Sequence, residues 1–112
     1  MDCLFCKIAA GKIPADKVYE DERVLAFKDI SPVSPVHILI IPKTHIHSAA
    51  EIDEDNADIV GKIFSVAARL AGELNLAGGF RVVTNSGADG GQTVGHLHFH
   101  LLGGRELGWP PG

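Results

Sequence analysis

Gly95-His96-Leu97-His98-Phe99-His100-Leu101-Leu102-Gly103-Gly104 carries three of the chain's six histidines, each separated from the next by one apolar residue. The two-residue period of a strand puts His96, His98 and His100 on one face and Leu97, Phe99 and Leu101 on the other. A helix would scatter the imidazoles around its axis and leave no apolar stripe. Glycine at both ends of a short alternating run also favours the strand. Same-side neighbours on a strand lie about 6.5–7 Å apart, so three imidazoles can line one small site. A buried imidazole needs a hydrogen-bond partner. Packing alone does not account for three in strict alternation, and the stretch predicts a functional site.

The segments on either side supply the rest of a sheet. Val36-His37-Ile38-Leu39-Ile40-Ile41, a β-branched run ended by Pro42, predicts a central strand. Lys17–Glu20 and Val24–Lys28 predict two strands joined by the acidic turn Asp21-Glu22-Arg23, and Phe80–Thr84 a further one. Asp53 is expected to cap a helix from about Glu54 to Leu74, with Ile59, Ile63, Val66, Ala67, Leu70 and Leu74 on one apolar face and Gly78-Gly79 as its end. Leu4–Ala10 reads as a short helix with Asp2 as N-cap and Gly11 as stop. Ile13-Pro14 begins an extended connection, and the tail from Arg105 to Gly112 is expected to be irregular. The expected class is α+β: a mostly antiparallel five-stranded sheet, one short N-terminal helix and one long central helix, in a single domain over residues 1–112.

With 112 residues and 46% hydrophobic content, the chain can bury one core and no second. A formal charge of -4 argues against a nucleic-acid binder, which normally shows a basic patch. Charge runs are absent, and no apolar run approaches the roughly 20 residues of a membrane span. No membrane or nucleic-acid partner is expected. Met1-Asp2-Cys3 lacks the basic and apolar regions of a signal peptide, so the expected location is the cytoplasm. Both cysteines fall in one Cys-x-x-Cys, Cys3 to Cys6, which in a reducing compartment points to metal or redox work before a structural disulfide.

Two chemistries suit the histidines. Alternate histidines could hold a catalytic zinc with a third ligand such as His37 and an open position for water. That would be a zinc hydrolase, although no carboxylate lies near the triad in sequence to act as base. Alternatively, a neutral imidazole can attack phosphorus and form a covalent intermediate that water then clears. Its other nitrogen must then donate to an acceptor, which fixes the tautomer. The preceding loop favours the second chemistry. Gly87, Gly90 and Gly91 permit turns that aim N–H groups at an anion, and Gln92 and Thr93 add side-chain donors. The Gly-Lys-Ser/Thr ending of a P-loop is missing. Lysine and arginine are scarce nearby, which suits a single phosphate better than a polyphosphate.

His96-Leu97-His98-Phe99-His100-Leu101-Leu102 resembles the histidine-triad pattern, in which three histidines alternate with apolar residues. The resemblance covers Asp2 to Pro14, Phe27 to Pro35, Val36 to His45, and Asp89 to Gly112 with its Gly-Gly-Arg and Trp-Pro-Pro-Gly. It is strongest to the histidine-triad nucleotide-binding proteins, the purine nucleoside phosphoramidases. It implies His98 as the nucleophile, His100 on the same phosphate, and His37 in support. It implies Asn85, Gly91, Gln92, Thr93 and Val94 around the phosphate, Asp29 on the ribose hydroxyls, and Phe5, Ile8, Phe27, Ile30 and Leu39 as walls of a purine pocket. Without the resemblance those five would read as ordinary core and Asp29 as a turn residue. The resemblance further implies a homodimer with a continuous sheet and a tail reaching toward the partner's site. It also implies a structural zinc held by Cys3, Cys6, His45 and His96; the simpler reading of the cysteines is two buried thiols. With its side chain on the metal, His96 keeps its backbone carbonyl free to orient His98. Gly95 stands where many such relatives carry an aromatic residue, Thr93 where a serine is common, and His47 has no role assigned by sequence.

Overall fold

The computed structural model describes residues 3–112. Its elements are α1 (Leu4–Ala9), β1 (Lys17–Glu20), β2 (Val24–Lys28), β3 (Val36–Pro42), a 3-10 turn (Ala49–Glu51), α2 (Asp58–Glu73), β4 (Phe80–Val83) and β5 (Phe99–Gly103). The strands form one sheet in the order β1-β2-β3-β5-β4, and every adjacent pair is antiparallel. The α+β class and the five strands agree with the sequence reading.

β3 lies at the centre and is buried on both faces, which is why it reads as continuous apolar residues instead of an alternation. Ile38 and Ile40 join Val24, Ala26, Phe99 and Leu101 against Ile59, Ile63, Val66 and Leu70 of α2. Leu39 and Ile41 join Leu25 and Phe27 on the other face, under Phe5 and Ile8 of α1. Ile40, Ile63 and Leu101 are completely buried, and each such side chain stabilises the fold by about 1.5–3 kcal/mol. Asp21 ties the β1–β2 turn to α2: its carboxylate accepts from Arg23 N and Val24 N, from the Tyr19 hydroxyl, and pairs with Lys62.

Several boundaries differ from the sequence reading. The histidine strand begins at Phe99 and not near Gly95. The ladder with β3 ends at Ile40↔Phe99; two residues further along β3, Pro42 has no N–H to extend it, and Leu97 N instead donates to Ile46 O at 2.6 Å. The alternation nevertheless persists, since Leu97 shares the α2 cluster with Phe99 and Leu101. α2 starts at Asp58, after Asp53 and Asn56 have closed a separate turn on each other's backbone N–H groups. It ends before Gly78: Asn75 takes the left-handed conformation (φ 59°), Leu76 N donates to Ala71 O, and Asn75 N to Gly72 O, a Schellman closure. The N-cap of α1 is Cys3, whose Sγ accepts from Cys6 N at 3.3 Å; the expected cap, Asp2, lies outside the described residues.

Candidate functional site

Backbone groups set the tautomers of His98, His96 and His37 on the α1 side of the sheet, and His37 in turn sets that of His100. His98 Nδ1 lies 2.7 Å from the His96 carbonyl, which can only accept, so Nδ1 carries the proton and Nε2 is left with a lone pair. His96 Nε2 is 2.8 Å from Pro42 O and donates to it, leaving Nδ1 as its lone-pair nitrogen. Val33 N–H donates to His37 Nδ1 at 3.1 Å, so neutral His37 carries its proton on Nε2, 2.8 Å from His100 Nδ1. That contact is diagonal across β3 and β5, because Leu39 stands opposite His100. His37 Nε2 also faces Asp29 Oδ2 at 3.4 Å. His100 therefore accepts at Nδ1 and carries a proton on Nε2. Among the described residues, His100 Nε2 is the only buried side-chain nitrogen or oxygen without a hydrogen-bond partner. The His98 and His100 rings lie 5.1 Å apart. One face thus offers a lone pair and, beside it, an unmatched donor.

Burial, with His98 and His37 as neighbours, pushes His100 down to about 4 against the opposing pull of Asp29. Burial also lowers His37, again against Asp29. Both are neutral near pH 7. In the unfolded chain they titrate near 6.5, so below about pH 6.5, and down to about 4 for His100, the unfolded chain binds more protons and stability falls as the pH is lowered. Their contribution is complete above about pH 6.5 and declines below it, that of His100 being lost as the pH falls through about 4. Melting temperature measured from neutral pH downward should decline over this window, and His100→Gln should flatten the decline. An equally steep decline in His100→Gln would refute the assignment.

A second cluster joins the first through His96. Cys3 Sγ lies 3.3 Å from His96 Nδ1, Cys6 Sγ 3.3 Å from His45 Nδ1 and 3.6 Å from His96 Nδ1, and the two Nδ1 atoms are 3.2 Å apart. All four donor atoms lie within 4.8 Å of one another. A tetrahedron with Zn–S of 2.3 Å and Zn–N of 2.0–2.1 Å has edges of about 3.3–3.8 Å, so the donors stand close to the corners of such a shell. Desolvation and the neighbouring Cys3 sulfur raise the Cys6 thiol; a bound cation reverses that preference. The Pro42 carbonyl holds the His96 ring in the tautomer a metal needs.

The HIT domain family model matches residues 10–107. The chain belongs to the HIT domain family. It is 46% identical to a 14 kDa zinc-binding protein of Brassica juncea, over 99% of this chain and 100% of that one. It is also 46% identical to an adenylylsulfatase HINT1 of Arabidopsis thaliana, over 97% of this chain and 76% of that one. Among solved structures, a HIT family hydrolase from Legionella pneumophila superposes with a TM-score of 0.97 at 49% identity, covering 99% of this chain and 100% of that chain. At the level of the family, the chain is akin to nucleotide hydrolases.

Within this HIT fold the residues singled out from sequence fall in different settings. Phe5, Ile8, Phe27 and Leu39 are buried together, with the Phe5 ring edge-on to His98 at 5.1 Å. Ile30 is 99% exposed and lies outside that cluster. Asp29 closes a turn by accepting from Ser31 N at 2.7 Å while its other oxygen faces His37. The loop uses its own donors differently from the sequence reading. Gly91 N and Gln92 N close turns on Ala88 O and Gly87 O. The Gln92 amide donates to His47 O and Val94 O and accepts from Gly87 N. Gln92 therefore shapes the loop, and both of its N–H groups are already engaged. Thr93 is exposed, Asn85 and Val94 are half-buried, and Val94 packs on the α1 cluster. Sequence reasoning missed Pro42 O and Val33 N, which set two tautomers, because backbone atoms leave no residue-type signal. Beyond the meeting of His45 with His96, which the resemblance implied, it also missed the segment 46–48, which meets the triad loop residue by residue: Ile46 O at Leu97 N, His47 O at Gln92, and Ser48 Oγ at Ser86 Oγ.

Proposed function

We propose that this chain hydrolyses the P–N bond, or a similar bond, on the α-phosphate of purine nucleoside monophosphate derivatives through a covalent nucleotidyl-histidine. The observation that carries the reading is the pairing of a lone pair on His98 Nε2 with the unmatched donor on His100 Nε2. The His98 lone pair attacks phosphorus, the P–N bond breaks, and the leaving nitrogen departs as an amine after taking a proton. Water then attacks the same phosphorus, frees the imidazole, releases the monophosphate and returns a proton. The His100 N–H meets a phosphoryl oxygen as charge builds there, and His37 keeps that N–H on the correct nitrogen. Asn85, Gly91, Gln92, Thr93 and Val94 shape the phosphate loop, Asp29 takes the ribose hydroxyls, and Phe5, Ile8, Phe27, Ile30 and Leu39 flank the base. The adenylylsulfatase relative supports an α-phosphate with a good leaving group as the reacting centre. Steady-state turnover on a panel of nucleoside phosphoramidates tests the reading; tight nucleotide binding with no turnover on any of them would favour a binding module instead.

Cys3, Cys6, His45 and His96 would hold one zinc, a reading supported by their geometry and by the zinc-binding relative. Four protein ligands make a closed structural site, and the ion there would fasten α1 to the triad loop.

We also propose a homodimer. β4 is an edge strand with unpaired backbone groups. Phe80 on it and Phe64 on α2 are 47% and 49% exposed, and Trp109 in the tail is 82% exposed. Pairing along β4 would continue the sheet, cover the phenylalanines and carry the tail toward the partner's site. Sedimentation at micromolar concentration should give about twice the chain mass of 11.9 kDa. A monomer that turns over substrate at full rate would remove the partner's tail from the site.

A further inference from the structure

Gly95 immediately precedes the triad, and its backbone is not in the left-handed region that favours glycine. Its lack of a side chain has another cause. A Cβ on Gly95 would stand 2.8 Å from Cε1 and 3.1 Å from Nδ1 of His47, so the imidazole of His47 occupies the space a side chain would need. The backbone of His47 is held on both sides. Its N–H donates to Glu51 Oε1 at 2.8 Å, and its carbonyl accepts from Gln92 Nε2 at 2.7 Å. Gln92 in turn holds Gly87 and Val94.

We infer that His47 is a positioning residue for the triad, its ring seated on Gly95 and its carbonyl locked to Gln92 so that the 92–95 segment presents His96 and His98 in one conformation. Glycine is the most permissive residue in the chain's alphabet. Placed directly before His96, it would loosen the carbonyl that fixes the His98 tautomer unless something bounds it, and the His47 ring is that boundary. His47 itself is exposed; its backbone bonds go to Glu51 and Gln92 and its ring lies against Gly95, so it acts through the loop. The inference rests on the proposed hydrolase for its kinetic consequence, but the geometric claim is separable from it.

The test is a double-mutant cycle on the full-length protein with His47→Ala, Gly95→Tyr and the two combined. The first readout is the nuclear magnetic resonance signal of the His98 Nδ1–H proton, which needs no substrate. His47→Ala should broaden or lose it, with the fold retained because the residue is exposed. Gly95→Tyr should do the same by expelling the imidazole. The double variant, in which a new ring fills the vacated space, should restore it. The second readout is turnover of a nucleoside phosphoramidate. Each single change is expected to lower kcat about tenfold with KM little altered, the scale of a small misplacement at a reacting group, and the pair together should return to within about threefold of the unmodified enzyme. An unchanged His98 proton and unchanged kcat in His47→Ala would overturn the inference. So would strictly additive losses in the double variant, since the two residues would then not share one space. If no form of the protein, the unmodified one included, turns over any phosphoramidate, the proposed function has failed, and the His98 proton alone decides the role of His47.

Discussion

His98→Ala is expected to lose at least ~10³-fold in turnover, about 4 kcal/mol of transition-state stabilisation, while most nucleotide affinity is kept. The size follows from the role: with the imidazole gone, no nitrogen remains where the His96 carbonyl aims one. The small effect on affinity follows from the layout, because the proposed base and ribose contacts are made by side chains other than His98: the apolar cluster of Phe5, Ile8, Phe27 and Leu39, and the carboxylate of Asp29. Rapid-quench mass spectrometry of the unmodified enzyme should find a nucleotidyl group on the peptide that contains His98. The competing mechanism is a metal-bound water, which forms no covalent species. It predicts the opposite pattern: turnover that survives His98→Ala, disappears on chelation and returns with added zinc. That pattern would defeat the nucleophile assignment. At one cluster the donors argue against it in advance, since Cys3, Cys6, His45 and His96 would together fill a tetrahedron and leave no corner for water; Asp29, His37 and His100 also converge within 4.8 Å, and for them the chelation experiment decides.

The residues that made this site legible are those whose spacing has only one structural reading. Three histidines alternating with Leu97, Phe99 and Leu101 had to put imidazoles on one face, and that sidedness holds although the regular strand begins only at Phe99. The apolar positions of α2 likewise identified its buried face, because a period of three to four residues has no strand counterpart. Boundaries were less legible, since they depend on local competition among capping groups. Asp53 looked like a helix cap and instead closes a turn with Asn56. Asn75 ended the helix ahead of the two glycines that seemed better suited to do so. Of the tautomers only that of His98 was anticipated, through the His96 carbonyl that the resemblance implied; those of His96 and His37 were not, because they are set by the carbonyl of Pro42 and the N–H of Val33. His47 was illegible for a related reason: its partner is the missing side chain of Gly95, and only the three-dimensional path of the 45–48 segment brings the two together.

Replacing both cysteines, Cys3→Ser with Cys6→Ser, is expected to remove close to one zinc per chain and to lower the melting temperature by about 10 °C, roughly 2 kcal/mol for a domain of this size. The loss should be large because α1 has only six residues, too few to be stable in isolation. It is held by Phe5 and Ile8 in the core and by the two sulfurs beside His45 and His96. Its detachment should reach the chemistry by two routes. Phe5 would leave the edge of the His98 ring, and His96, freed at its side chain, would hold its carbonyl less firmly under His98. Loss of such outer support for an active group commonly costs 10–100-fold, so kcat should fall by about tenfold or more, well short of the loss from His98→Ala. Elemental analysis of protein purified without added metal gives the stoichiometry, and calorimetry gives the stability. Native protein that holds no metal yet melts at the same temperature as the double serine variant would return Cys3 and Cys6 to ordinary buried thiols. A variant that loses zinc and stability with kcat unchanged would keep the metal site but break its link to His98 through His96.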